Sequence, residues 1–121
     1  MKKTVVVGAT PNQSRYAYLA ALMLAEYEHD TVLLGIQKGD INGNKILNIR
    51  EKPFIENVDT ITLYIGPPRQ PEWYNYLLSL KPKRIIFNPG TENEEFEQLA
   101  QQQGVEAIQG CTLVMLRSWQ Y

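Results

Sequence analysis

The residues best placed to do chemistry together are Thr10, Ser14 and Arg15, in a turn that follows the unbroken β-branched run Thr4-Val5-Val6-Val7 and Gly8-Ala9. A buried strand that passes through a small-residue turn into a helix brings backbone N–H groups and the positive end of a helix dipole to one point. That combination favours a phosphate. Thr10 and Ser14 add hydroxyls, and Arg15 adds a guanidinium able to grip a phosphate through paired hydrogen bonds. Each also has a plainer reading. Thr10 and Ser14 could cap the helix, the better reading for Ser14, and Arg15 could be a surface cation. The chemistry indicated is the binding of a nucleotide or phosphate ester.

Which nucleotide depends on the neighbouring loops. Gly8 is the only glycine of the turn, whereas a dinucleotide fingerprint has three. A NAD site also needs an acid at the end of the second strand to hold ribose hydroxyls. That place reads Gly35-Ile36-Gln37-Lys38, with no carboxylate. Lys38 either offers a positive charge to a ribose phosphate, as in NADP or coenzyme A, or is a solvated loop lysine. Gly66-Pro67-Pro68-Arg69-Gln70-Pro71 is stiffened by its prolines. It is either an apolar wall for an adenine ring or pantetheine arm, or a link that delivers Pro71 to a helix. Asn88-Pro89-Gly90 ends a further strand at the same edge. Glu92, Glu94 and Glu95 neutralise the positive pole of the helix that follows, which makes it a poor phosphate site. Asn88 or Glu92 could still hold an amide or hydroxyl.

Catalytic signals are sparse. His29, the only histidine, reads as a solvated residue between helix and strand. The single cysteine, Cys111, reads as a buried inert thiol, and excludes an internal disulfide and a cysteine-based zinc site. No nucleophile–base pair or metal cluster emerges.

Positioning these loops requires strands that alternate with helices. Thr4–Val7, Thr31–Ile36, Thr60–Ile65, Arg84–Phe87 and Val105–Ile108 read as strands, with a sixth, edge strand at Lys45–Leu47. Helical patterns cover Ser14–Glu28, Pro71–Leu80 and Thr91–Gln103. The last opens on a capping box, Thr91 to Glu94, and stops at Gly104. The segment 37–59 lacks a clear helix and reads as edge strand and irregular chain. The fold expected is α/β: a doubly wound, mostly parallel sheet of five or six strands with helices on both faces. The chain should reverse direction between the first and fourth strands, at loops Gly8–Tyr16 and Gly66–Gln70, where ligands bind such sheets.

With 121 residues, the chain is expected to form one domain, 1–121. A net charge of −1 gives no footprint for nucleic acid. No apolar run is long enough for a membrane span or signal-peptide core. The expected location is therefore the cytoplasm.

These loops resemble a known family, the small coenzyme-A-binding domain proteins. They are also similar to the N-terminal domain of the succinyl-CoA synthetase alpha subunit. The likeness rests on Val6-Val7-Gly8-Ala9-Thr10-Pro11-Asn12 with Arg15 and Tyr18, on Gly39-Asp40-Ile41-Asn42-Gly43, and on Asn88 to Glu94. Gly104-Val105-Glu106 and Gly110-Cys111-Thr112 complete it. The resemblance implies a Rossmann-like fold and coenzyme A as ligand. Its diphosphate would lie on the Gly8–Arg15 turn, Lys38 near the adenosine end, and Pro67-Pro68 against the ligand. The implied contact set is Gly8, Ala9, Thr10, Asn12, Arg15, Lys38, Pro67, Pro68, Asn88, Pro89 and Gly90. Two departures stand out: Thr10 replaces the family's usual serine, and Gln37-Lys38 replaces its usual Asn-Pro. The synthetases also work through a phosphorylated histidine in a further domain, which His29 does not match.

The expected function is binding of coenzyme A or an acyl-CoA without chemistry of its own, as a sensor, carrier or accessory subunit. A homo-oligomer or an enzyme partner subunit both suit it. The alternative is an NADP-dependent oxidoreductase fragment or small transferase. A third reading is an interaction module anchored by Trp73, Trp119 and Tyr121.

Overall fold

The computed structural model describes all residues, Met1–Tyr121. Seven strands form one sheet: β1 (Thr4–Val7), β2 (Thr31–Gly35), β3 (Asp40–Ile41), β4 (Asn44–Asn48), β5 (Thr60–Leu63), β6 (Arg84–Phe87) and β7 (Glu106–Gln109). Their order is β3-β4-β2-β1-β5-β6-β7. Every pairing is parallel except β3 with β4. The chain winds outward from β1 in one direction, then returns to β1's other side at β5. This is the doubly wound arrangement, and β5 is the fourth of the six strands expected.

Alternation along the strands sends side chains to two cores. Val5 and Val7 join Leu34, Ile61, Leu63 and Phe87 under α2 (Tyr74–Ser79) and α3 (Glu94–Gln102). Val6 joins Leu33 and Ile46 under α1 (Tyr16–Glu26) and α4 (Thr112–Arg117). Helices thus cover both faces. The buried stripe of α1 is mostly alanine, Ala17, Ala20 and Ala21, ending at Leu24. Small side chains let this helix lie close to the sheet beside the β1–α1 turn. Across the sheet, Phe96 stands edge-on to Phe87, their ring centres 5.6 Å apart.

Several boundaries differ from expectation. The edge segment is a hairpin, β3–β4, turned by Asn42 and Gly43, both at positive φ. Asn-Gly is the dipeptide such a two-residue turn requires, so this seventh strand was written in the sequence. Ser14 does not cap α1. Arg15 occupies the cap position without a side-chain bond, and Ser14 donates instead to Asn12 Oδ1. The Thr91–Glu94 capping box does not form either. Asn93 caps α3, its Oδ1 accepting from Phe96 N–H at 3.2 Å. Pro71–Trp73 is a 3-10 turn leading into α2. Helix α4 was not expected, because its contiguous apolar residues Leu113 to Leu116 carry no helical period over only six residues.

The N-terminal ends of β1 and β6 are closed by Tyr121. Its ring packs 4.4 Å from the buried Arg84 guanidinium, and its hydroxyl lies 2.5 Å from Thr4 Oγ1. Arg84 Nε donates to Thr60 Oγ1 at 2.7 Å. His29 is part of this closure rather than a solvated loop residue. Its Nδ1 accepts the Lys2 N–H at 3.1 Å, and its ring meets Tyr121 at 4.8 Å. Trp73 is buried in the core and only Trp119 is largely exposed, leaning on Tyr27. Of the three anchors considered, two therefore pack on their own fold. No helix is long and apolar enough to cross a membrane.

Candidate functional site: a cationic cleft at the sheet's switch point

The C-terminal ends of β2, β1 and β5 open into a cleft of about 890 Å³. That volume lies in the upper part of the range of roughly 300–1,000 Å³ for small-molecule and cofactor sites. It sits where the strand order reverses, as expected for a doubly wound sheet.

The β1–α1 turn forms one wall. Gly8 has φ +99°, a conformation that favours glycine, and an added β-carbon would press on the Tyr64 backbone at 3.1 Å. The N–H groups of Gly8 and Ala9 both donate to the Leu34 carbonyl at 2.9 Å. These two donors therefore hold the turn to β2 and do not face a ligand, contrary to the simplest phosphate-loop expectation. The free donors are one step further on. The N–H groups of Tyr16 and Ala17, in the first turn of α1, take no partner from the chain. Thr10 Oγ1 donates to Gln37 Oε1 at 2.6 Å and accepts from Asn12 N–H at 3.2 Å, which ties the turn to the end of β2.

The facing wall is built from the loops after β5 and β6. Gln70 is buried and its Nε2 donates to the carbonyls of Ile65 and Thr91, each at 2.8 Å. Its Oε1 accepts from Asn93 Nδ2 at 2.9 Å. One amide thus locks both loops. Tyr64 lies between the walls, and its buried hydroxyl has no hydrogen-bond partner. Burial pushes this phenol up to about 12.

The electrostatics are one-sided. Arg15, Arg50 and Arg69 line the cleft from three separate loops. None has an ion-pair or hydrogen-bond partner: the one salt bridge of the chain joins Lys83 to Asp59, and the only guanidinium that donates a side-chain bond is Arg84's. Glu72 is the sole carboxylate on the lining. Exposed guanidiniums left unpaired around a concave surface suit a ligand with several phosphates.

Of the residues expected to touch a ligand, Gly8, Ala9, Thr10, Asn12, Arg15, Pro89 and Gly90 line the cleft. Lys38, Pro67, Pro68 and Asn88 do not. Lys38 is exposed beyond the rim, while its neighbour Gln37 faces inward. Pro67 and Pro68 form a 3-10 turn behind Gly66. Asn88 is buried, and its amide is spent inside the fold: Nδ2 donates to Thr62 Oγ1 and the Leu63 carbonyl, and Oδ1 accepts from Thr112 N–H, all within 2.9 Å. Cys111 is half-buried at the start of α4, away from the lining.

Arg50 and Arg69 were missed. Arg69 stood in a loop read only for its prolines. Arg50 follows the weak edge strand, and its place becomes evident once that strand pairs in parallel with β2.

The sequence profile of the CoA binding domain family matches residues 2–117. The chain is also similar to an uncharacterised protein of known crystal structure, with 55% identity over 100% of this chain and 98% of that one, at a TM-score of 0.97. A Thermus thermophilus protein is 19% identical over 99% of this chain and 90% of its own, at a TM-score of 0.84. A conserved hypothetical protein from Pyrococcus furiosus is 23% identical over 94% and 98%, at a TM-score of 0.81. These last two share the fold. No curated protein matches the chain.

Proposed function

We infer, because this chain belongs to the CoA binding domain family, that its cleft takes coenzyme A or an acyl-CoA, and that residues 1–121 act as one binding domain with no chemistry of their own. The observation that carries this reading is the trio of unpaired guanidiniums, Arg15, Arg50 and Arg69, around one cleft at the switch point. The ligand's diphosphate would lie over the Gly8–Arg15 turn, near the free N–H groups of Tyr16 and Ala17 and within reach of Thr10 and Asn12. The pantetheine arm would run toward Gly66, Pro89 and Gly90. Asn88, Pro67 and Pro68 would support these loops from behind. The cleft lining holds no histidine, lysine or cysteine, which suits a carrier, sensor or accessory subunit.

Thermal melts with coenzyme A, NADP, NAD and ATP test the reading. Ligand at about 100 times its dissociation constant adds roughly 2.7 kcal/mol to stability. Coenzyme A should give the largest shift. A larger shift with NADP would favour an oxidoreductase fragment, and a larger one with NAD would remove the reading.

A further inference from the structure

We propose that Arg50 grips the phosphate on the ribose of coenzyme A, so that the protein selects coenzyme A over its dephospho form. The proposal rests on the coenzyme A reading and names the group that recognises the ligand's adenosine end.

The argument starts from register. Gly35 of β2 pairs in parallel with Asn48 of β4. Gln37 and Arg50 each lie two residues beyond that pair in sequence, past the C-terminal ends of the two strands, and both line the cleft. In a doubly wound sheet this place, after the second strand, meets the ribose of a nucleotide whose diphosphate rests on the first turn. An acid there binds ribose hydroxyls, whereas an arginine accommodates a ribose phosphate. Here the chain after the second strand brings the neutral amide of Gln37 to the lining. The lining's only carboxylate, Glu72, belongs to the opposite wall after β5.

Local structure holds Arg50 in position. It sits in a 3-10 turn, Ile49–Glu51, and its own N–H donates to the capping Asn48 Oδ1 at 3.0 Å. Ile49 beside it is 1% exposed and anchors the turn in the core. The backbone is therefore fixed while the guanidinium stays unpaired, a planar fork left free for a phosphate. Lys38, the cation first expected to serve this end, is outside the lining.

Calorimetric titration of the full chain with coenzyme A and with dephospho-coenzyme A tests this. The parent should prefer coenzyme A by about tenfold, the lower end for a hydrogen bond to a charged group, as suits an exposed site. Arg50→Ala should shrink that preference to within about twofold by weakening coenzyme A binding alone. Its melting temperature without ligand should match the parent's, since the side chain bonds to nothing in the fold. Equal affinity of the parent for both ligands would overturn the proposal and leave the coenzyme A reading standing. A preference that persists in Arg50→Ala, or that vanishes instead in Lys38→Ala, would also overturn it. Failure of the parent to bind either ligand would remove the reading and the proposal together.

Discussion

The carbonyl oxygen of Ala9 lies 2.2 Å from the point where a β-carbon on residue 35 would stand, so the β1–α1 turn can cross the end of β2 only because that residue is Gly35. The same contact lets the Leu34 carbonyl collect the N–H groups of Gly8 and Ala9. The turn's position over the cleft is thus set by a glycine on the neighbouring strand.

Gly35→Ala should therefore damage fold and site together. The obstructing atom is backbone and cannot rotate away, so the turn or strand must shift. Overpacking of this kind costs about 1–3 kcal/mol. Chemical denaturation should show a lower midpoint with an unchanged slope. Coenzyme A affinity, measured well below the midpoint, should fall as well. An unchanged midpoint would mean that the turn moves freely over β2.

Asn88→Ala should separate architecture from binding. The change strips the buried Thr112 N–H and Thr62 hydroxyl of their amide partner. Leaving a buried donor unsatisfied costs about 1–3 kcal/mol, so a loss of at least 2 kcal/mol is expected in denaturant melts. The affinity of the folded fraction for coenzyme A should stay within a few-fold of the parent. A large affinity loss with little loss of stability would return Asn88 to the set of ligand contacts.

Asn88 marks the boundary of what the sequence makes legible. The strand cores, the doubly wound order and the loops at its switch point followed from β-branched runs and turn residues. Side-chain direction at the loops did not. Asn88 and Lys38 each follow a strand, yet the first is buried in the fold and the second lies outside the cleft lining. Arg50 was hidden because its meaning depends on a parallel pairing between segments that share no local signal. The Ser14 and Thr91 caps failed for a related reason. Each hydroxyl is spent locally, Ser14 Oγ on Asn12 Oδ1 and Thr91 Oγ1 on the Asn88 carbonyl.

Stability should rise as pH climbs through the ordinary imidazole value near 6.5, with His29 responsible. Burial, then the positive charges of Lys2, the N-terminus and Arg84, hold the imidazole below its ordinary value, while the Lys2 N–H it accepts is lost on protonation. The unfolded chain then binds a proton more readily than the folded one. Stability is fully present above the unfolded value near 6.5 and declines as pH falls through it. Melts of the parent should show this slope, and His29→Gln should flatten it. An equal slope in both would place the titration elsewhere.

Gln37→Glu should weaken coenzyme A binding without harming the fold, and it probes the cleft's charge most directly. Gln37 Oε1 accepts from Thr10 Oγ1 at 2.6 Å. A carboxylate keeps that acceptor and nearly the same shape, so the tie between the β1–α1 turn and β2 should survive and the melting temperature should hold. The charge, however, would stand on the same cleft lining as Arg50, where Glu72 is now the only acid. A phosphate there would meet repulsion, and Arg50 would gain an internal partner that competes for it. Opposite charges near a surface interact weakly, about 1 kcal/mol or less for exposed pairs, so a several-fold loss of coenzyme A affinity is expected. That loss should shrink as salt is raised, because screening shortens the reach of exposed charges to about 8 Å at physiological ionic strength. A ligand whose ribose bears free hydroxyls gains from the same substitution, since an acid is the group that holds them. The ratio of NAD to coenzyme A affinity should therefore rise. Affinities unmoved by Gln37→Glu at low salt would show that the bound ligand passes this end of the cleft without placing a phosphate beside it.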